Sequence, residues 1–153
     1  MTTYNCLKYH IVFGTRYRRS LLLPQIRPDL YSYIGGILRS EGGHLDSIGG
    51  VEDHVHILAG IPPRVAVSDM LRTIKAGSSK WMNENKHSSK GFEWQRGFGA
   101  FTVSKSNMSD ESRYIENQDE HHRKSTFADE FRALLVRHEI VFEERYLFDD
   151  ERT

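Results

Sequence analysis

The chain has 153 residues, of which 38% are hydrophobic and 27% charged, which is typical of one folded domain with its own core. It lacks the uncharged apolar run of about 18–20 residues that a membrane helix needs, and polar residues near its start interrupt any signal-peptide core. The single cysteine, Cys6, excludes an internal disulfide framework and a zinc site built from several cysteines. We therefore expect a single domain over residues 1–153 in a cytoplasmic protein.

The net charge is zero, but the charges are unevenly distributed along the chain. Residues 1–106 contain 14 lysines and arginines and 8 acidic residues, whereas residues 107–153 contain 7 and 13. The first part therefore carries a charge of +6 and the second a charge of −6. A basic surface beside an acidic C-terminal segment favours a polyanionic partner, although chance clustering of solvated charges gives the same numbers.

Strands and helices alternate in the first part of the chain. Residues 6–15 are rich in β-branched and aromatic side chains, which predicts a strand that leads into an arginine-rich loop. Apolar residues at helical spacing follow from Pro24 to Glu41, where two glycines end the predicted helix. Two more extended segments, 44–51 and 54–61, predict a second and a third strand.

The rest of the chain continues this alternation. A second helix is predicted from Val67, and a polar loop over 83–91 separates it from a short strand over 98–104. Two C-terminal helices are expected, one over about 109–122 and one over about 127–138, followed by an aromatic and acidic tail. The βαββαβ order predicts an α+β fold of the ferredoxin-like type, with a four-stranded antiparallel sheet, helices on one face and additional C-terminal helices.

Two histidines lie in the predicted third strand. His54 and His56 are separated by Val55, and alternate residues of a strand point to the same face, so their imidazoles should lie side by side. A pair of imidazoles can bind a divalent metal ion. Two surface histidines on a half-exposed strand fit the same pattern.

A tyrosine and a glutamine lie one turn apart on the helix predicted over 109–122. Tyr114 and Gln118 therefore share a helix face. The amide oxygen of Gln118 can complete a metal's ligand set, and the phenol of Tyr114 is a competent nucleophile once its proton is removed. An amphipathic helix with a packed tyrosine and a solvated glutamine is the alternative.

The two groups together resemble the motifs of the HUH-type single-tyrosine transposases, which move bacterial insertion sequences as single-stranded DNA. The motifs are His54-Val55-His56 and, about sixty residues later, Tyr114 and Gln118 separated by three residues. Other parts of the chain resemble the family's first strand, basic loop and last strand: residues 8–13, 17–19, 92–95 and 97–104. Glu52 departs from the pattern, since relatives often have proline there, and the segment after about Ser125 is the least diagnostic.

This resemblance implies that His54, His56 and Gln118 bind Mg²⁺ or Mn²⁺ and that Tyr114 is the catalytic nucleophile. Three neutral ligands would leave the full charge of the cation for the scissile phosphate. The reaction would leave a 5′-phosphotyrosine and a free 3′-OH, and rejoining would need no nucleotide cofactor. The sequence also lacks a phosphate-binding loop of the G-x-x-x-x-G-K-S/T type.

The resemblance also implies the partners of the protein. They are single-stranded DNA with hairpin ends and a second copy of the chain, in a homodimer whose active site is shared between subunits. No membrane is expected among the partners, and the protein would be cytoplasmic in bacteria and associated with the nucleoid when bound to DNA.

Several further residues are predicted to lie near DNA or near the site. Contacts to the DNA backbone and to bases are expected from Arg16, Arg18, Arg19, Lys75, Lys80 and Trp81. A solvated helix face with a packed tryptophan explains the same residues. We expect His10 in the core or beside the site rather than as a ligand, His121 and His122 on the surface, and Cys6 in the core.

Three functions are therefore consistent with the sequence. The first is a single-stranded DNA transposase, or a domesticated relative that acts on repetitive palindromes of its host. The second is a metal-dependent nuclease that uses water, with Tyr114 as a bystander. The third is a ferredoxin-like nucleic-acid-binding module without catalytic activity, in which the histidine pair is structural.

Overall fold

The computed structural model describes residues 2–85 and 91–148. Within them, four strands form one antiparallel sheet in the order β2-β3-β1-β4. The strands are β1 (Lys8–Gly14), β2 (His44–Gly50), β3 (His54–Gly60) and β4 (Gly99–Thr102). The helices of this part of the chain are α1 (Arg27–Ser40), α2 (Val67–Glu84), α3 (Met108–Glu116), α4 (Gln118–Lys124) and α5 (Phe127–Arg137). This α+β architecture confirms the predicted fold class.

One face of the sheet is covered by α1 and α2. The apolar residues Leu30, Ile34 and Leu38 recur at helical spacing along α1, and all three are buried. They belong to the same hydrophobic core as Ile11 of β1 and Ile57 of β3. The pattern of apolar residues in the sequence thus explains this half of the molecule.

Both of these helices differ from the prediction in detail. Helix α1 begins at Arg27, later than predicted, and Pro28 occupies its first turn, where a missing N–H costs no hydrogen bond. On α2, Met82 is buried with Met70, Leu71 and Ile74. Trp81, predicted as a DNA contact or a packed tryptophan, is partly buried, and its ring stacks on Tyr33 of α1 with ring centroids 5.6 Å apart.

The opposite face of the sheet is covered by the C-terminal helices. Val12 of β1 and Phe101 of β4 pack with Phe127, Phe131 and Leu134 of α5 in a second hydrophobic cluster. Helix α3 packs against β2 and β3. Polar residues on this face are therefore also removed from solvent, which the sequence pattern did not predict.

The prediction of a single helix over 109–122 is wrong. Helix α3 ends at Glu116 and α4 begins at Gln118, and the residue between them, Asn117, has the non-helical angles φ −100° and ψ 31°. Asparagine favours such positions because its side chain competes with the backbone for hydrogen bonds. The break gives Gln118 a buried position at the start of the second helix.

Cys6 and the loop after α2 differ from the prediction. Cys6 is exposed and not in the core, because it precedes β1. The polar loop predicted over 83–91 begins after Glu84, at the end of α2, and residues 86–90 lie outside the described residues. Among the described helices, none has both the length and the apolar character that a membrane span requires.

The pairing of β1 with β3 determines which residues share the second face. Gly14 pairs with His54, Val12 with His56, and His10 with Leu58. Directly opposed residues of an antiparallel pair point to the same side of the sheet. This register therefore gathers three histidines on the face that α3, α4 and α5 cover.

Candidate active site

The two histidines of β3 meet at one carboxylate. The side chains of His54 and His56 lie on the same face, as the strand alternation predicted, and both are buried. Their Nε2 atoms are 3.0 Å and 2.8 Å from Oε1 of Glu130. The ring of Phe127 stacks on His54 at a centroid distance of 4.3 Å and closes one side of the site.

Glu130 was not singled out in the sequence, although its position in α5 carries a signal. It follows Phe127 by three residues and precedes Phe131 and Leu134, all of which are buried on one helix face. An acidic residue within an apolar helix face requires a partner, because burying an unpaired carboxylate is costly. That partner lies on a distant strand, which spacing within the helix does not reveal.

Tyr114 contacts the same carboxylate from α3. Its hydroxyl donates a hydrogen bond of 2.5 Å to Oε2 of Glu130, and its ring lies edge-on to that of His56, with centroids 5.7 Å apart. Burial and the hydrogen bond to Glu130 raise the pKa of Tyr114 above its ordinary value. The phenol is therefore protonated at neutral pH in this arrangement.

Gln118 lies at the edge of the group. Its Oε1 is 3.3 Å from Nε2 of His54, and its Nε2 donates to the backbone oxygen of Tyr114 at 3.3 Å. The predicted trio of His54, His56 and Gln118 is thus brought together. Both histidines contact Glu130, whereas Gln118 contacts only His54 of the pair.

The electrostatics of the two histidines differ. Burial disfavours the charged form of His54, but its hydrogen bonds with Asp53 and Glu130 raise its pKa to about 9. Burial dominates at His56 and lowers its pKa to about 4. Burial works against the charge of Glu130 as well, but the hydrogen bonds with both histidines hold its pKa below the ordinary range, so its carboxylate is ionised.

The donor atoms of this group suit a divalent metal ion. One nitrogen each of His54 and His56 and one oxygen of Glu130 lie within 4.8 Å of one another. Imidazole nitrogens combined with a carboxylate oxygen form a common ligand set for first-row divalent metals. The set carries one negative charge, unlike the neutral trio expected from the sequence.

A third histidine lies behind His56. Nε2 of His10 is 2.7 Å from Nδ1 of His56, and Nδ1 of His10 is 3.0 Å from Oε2 of Glu111. The hydrogen bond with His10 lowers the pKa of Glu111 below its ordinary value. His10 is buried beside the site, as expected. The donor group of His54, His56 and Glu130 does not include it.

The neighbouring histidines of α4 are half-buried and do not lie freely on the surface as expected. The ring of His121 packs on Tyr114 with centroids 4.4 Å apart, and Nε2 of His122 lies 2.7 Å from Glu52. A cavity of about 240 Å³ opens beside Tyr114 and Glu130, with His121 in its wall.

The basic residues predicted to contact DNA fall into two groups. Arg16 and Arg19 both lie over the ring of Tyr17, each at 5.0 Å from its centroid, and Arg16 also forms an ion pair with Glu93. These residues line a polar cavity of about 560 Å³, together with Ser79 of α2.

The remaining predicted contacts are separate from this cavity. Lys75 donates a hydrogen bond of 2.9 Å to the backbone oxygen of Gln95 and lies over the ring of Phe13, so it links α2 to the core. Arg18 lies over the ring of Phe148 at 4.4 Å. Lys80 is exposed on α2, whereas Trp81 is partly buried and packs against α1.

Comparisons with known proteins agree with this geometry. The family model described as "Transposase IS200 like" matches residues 3–118, which contain both histidines of β3, Tyr114 and Gln118 but not α5. The transposase for insertion sequence element IS200 of Salmonella typhimurium is 32% identical over 123 residues, which are 76% of this chain and 79% of that protein.

Solved structures share the fold. A crystal structure of a Deinococcus radiodurans R1 protein assigned as a transposase is 26% identical, with a TM-score of 0.60 over 77% of this chain and 95% of that one. A REP-associated tyrosine transposase bound to a REP hairpin is 20% identical, with a TM-score of 0.56 over 75% of this chain and 70% of that one. From the family match and the identity to the Salmonella protein, we conclude that this chain belongs to the family of IS200-like transposases.

Proposed function

We propose that this protein cleaves and rejoins single-stranded DNA at hairpin-bearing element ends, with Tyr114 as the nucleophile. One observation carries the proposal: the hydroxyl of Tyr114 and the imidazoles of His54 and His56 converge on the carboxylate of Glu130. A nucleophile and a set of metal-ligating atoms at one point are what phosphoryl transfer to a side chain requires.

The proposed reaction balances without a cofactor that supplies energy. The oxygen of Tyr114 forms a bond to the scissile phosphorus while the bond from phosphorus to the 3′-oxygen breaks. The proton of the phenol passes by way of the carboxylate of Glu130, which already accepts its hydrogen bond, to solvent, and the departing 3′-oxygen takes a proton from water to become a free 3′-OH. A 3′-OH then attacks the 5′-phosphotyrosine, restores a phosphodiester and releases Tyr114.

His54, His56, Glu130 and Gln118 would hold the metal ion, and we propose Mg²⁺ or Mn²⁺. When bound, such an ion polarises a non-bridging phosphate oxygen and stabilises the departing 3′-oxygen. The chain itself orients the ligands: Asp53 lies 2.7 Å from Nδ1 of His54, which turns Nε2 of that ring toward Glu130.

Hairpin DNA is proposed as the substrate on two grounds. A tyrosine transposase of the same fold has been solved bound to a REP hairpin. In this chain, Arg16, Arg19 and Tyr17 line an open cavity, and this combination of arginines and an aromatic ring suits the phosphates and bases of an unpaired strand.

A homodimer with a shared site is the proposed working form, as the family resemblance implies. In the structure, Tyr114 contacts Glu130 of its own chain and Ile115 packs against Gly49 of its own β2. An exchange of α3 between two subunits would form the same contacts between chains, so the reaction chemistry is the same in either arrangement.

Trapping of a covalent adduct tests the proposal. The protein is incubated with Mg²⁺ or Mn²⁺ and with single-stranded oligonucleotides that carry the hairpins flanking its gene. We expect a protein–DNA adduct that survives denaturation and a second fragment with a free 3′-OH. Tyr114→Phe should abolish both while hairpin binding is retained, because only one hydroxyl is lost.

Tyr31→Phe is the matched control, since it also removes one tyrosine hydroxyl but lies on α1, on the opposite side of the sheet. It should form the adduct at the rate of the original protein. Release of fragments without an adduct would favour the water-using nuclease, and binding without cleavage would favour the module without catalytic activity. Cleavage at an unchanged rate by Tyr114→Phe would contradict the role of Tyr114.

A further inference from the structure

The two histidines of β3 use their Nδ1 atoms in comparable ways. In both rings Nε2 points to Glu130, so each Nδ1 points away from the proposed metal position. Nδ1 of His54 lies 2.7 Å from the carboxylate of Asp53. Nδ1 of His56 lies 2.7 Å from Nε2 of His10, and the other nitrogen of His10 lies 3.0 Å from the carboxylate of Glu111. Nδ1 of His54 is therefore paired directly with a carboxylate, whereas Nδ1 of His56 is connected to one through His10.

This geometry restricts the proton positions. Nε2 of His56 donates its proton to Glu130 in this structure; when that nitrogen binds a metal ion instead, the neutral imidazole must carry its proton on Nδ1. The proton on Nδ1 of His56 then requires an acceptor, and Nε2 of His10 is in place to accept it. His10 in turn carries its own proton on Nδ1 and donates it to Glu111.

We propose that His10 and Glu111 form a relay that holds His56 in the tautomer and ring orientation able to bind a metal ion. The proposal rests on the proposed metal-binding role of His56. His10 and Glu111 are positioning residues, since neither belongs to the His54, His56 and Glu130 donor group.

The relay also connects the metal ligands to the nucleophile. Glu111 lies on α3 three residues before Tyr114, and residues at this spacing share a helix face. The ring of Tyr114 lies edge-on to that of His10, with centroids 5.9 Å apart. The orientation of His56 and the position of α3, which carries Tyr114, therefore depend on the same buried contact between His10 and Glu111. His10 is almost fully buried, so water does not replace this partner freely.

Direct binding of Mn²⁺ to the DNA-free protein tests the relay without any measurement of cleavage. Glu111→Leu and His10→Leu remove the acceptors and should weaken Mn²⁺ binding by about 10–100-fold, as is usual when the hydrogen-bond partner of a metal ligand is lost. Glu111→Gln and His10→Gln keep an amide oxygen that can accept the same hydrogen bond, and they should retain affinity within a few-fold. This difference separates positioning from bulk packing.

Asp110→Asn is the control, because Asp110 precedes Glu111 on the same helix but is exposed and pairs with Arg113. It should bind Mn²⁺ as the original protein does. Thermal unfolding of all variants checks that each is folded under the conditions of the titration.

Side-chain ¹⁵N NMR of the original protein supplies a readout that needs no metal. His10 should show a protonated Nδ1 whose hydrogen-bonded signal is lost in Glu111→Leu. A His10 with an unprotonated Nδ1 would overturn the relay, and so would equal Mn²⁺ affinity in the original protein and both leucine variants. If the original protein bound no Mn²⁺, the proposed metal function would fail, and the NMR result would decide on the relay by itself.

Discussion

The two faces of the sheet present different chemistry from the same strands. Toward α1 and α2, β3 contributes Val55 and Ile57 to an apolar core. Toward α3, α4 and α5, the alternate residues His54 and His56 join a buried polar group around Glu130. Helices cover both faces, but the first is packed mainly by apolar contacts, whereas the second combines a smaller apolar cluster with hydrogen bonds between ionisable groups.

This difference indicates a division between stability and activity. Burial of apolar side chains supplies most of the free energy of folding, and the face toward α1 and α2 contains the larger apolar cluster. Buried polar groups contribute less to stability, because the loss of hydration offsets most of what their hydrogen bonds gain. Changes on the second face should therefore affect the reaction more than the fold, and changes on the first face should do the reverse.

Substitutions at two adjacent residues of β3, His56 and Ile57, should separate the effects of the two faces on activity and on stability most clearly. His56→Ala should stop cleavage, and so should chelation of the metal. The variant should still fold, because Glu130 keeps its hydrogen bonds with His54 and Tyr114. Ile57→Ala should cost about 2–5 kcal/mol of unfolding free energy through the loss of core packing. Cleavage assays and urea unfolding measure the two effects. Full activity in excess chelator would contradict the metal role.

Two glycines offer a comparison of the same kind. A Cβ at Gly49 would lie 2.1 Å from the backbone oxygen of Ile115, the residue after Tyr114, so Gly49→Ala must displace α3. A displacement of about 1 Å in an active site costs about 100-fold in rate, and we expect a loss of that order. In Gly36→Ala on α1 the nearest atom lies 3.9 Å away, and this variant should be active and slightly stabilised. Equal cleavage rates for both would show that α3 tolerates the shift.

The shared site stays a prediction, and subunit mixing tests it. His56→Ala keeps its tyrosine and Tyr114→Phe keeps its histidines, so each alone should be inactive. After subunit exchange about half of the dimers are mixed. With a shared site, one of the two sites in each mixed dimer is intact, so activity should recover to roughly a quarter of that of the original protein. An inactive mixture, with exchange verified, would mean that each site is built from one chain, as the contacts of Tyr114 in the structure also allow.

The smallest change in stability is expected when the hydroxyl of Tyr31, on the side of α1 and α2, is removed. It is buried without a hydrogen-bond partner among the described residues, and burial raises its pKa to about 12. Removal of an unsatisfied buried group is neutral or favourable, so Tyr31→Phe should leave stability unchanged or raise it by up to about 1 kcal/mol. Urea unfolding measures the change, and a clear loss of stability would reveal a partner for this hydroxyl.

Local patterns in the sequence were sufficient for several features of the site. Strand alternation placed His54 and His56 on one face, and the family motifs identified Tyr114 and Gln118 as their companions. The break at Asn117 was missed because a helical pattern continues on both sides of it. Glu130 was missed because its histidine partners are 74 to 76 positions away in the chain, and periodicity within α5 shows only which side is apolar.

The sequence by itself therefore determined the order of the elements from β1 to β4, the apolar face of α1 and of α2, and the motif residues of an IS200-like transposase. These are local properties, set by spacing along one strand or helix. Only the tertiary structure decided that α5 covers the second face of the sheet, that Glu130 joins Tyr114 to the histidines, and that Glu111 lies behind His10. Such contacts depend on which faces pack together, and side-chain periodicity along the chain leaves that choice open.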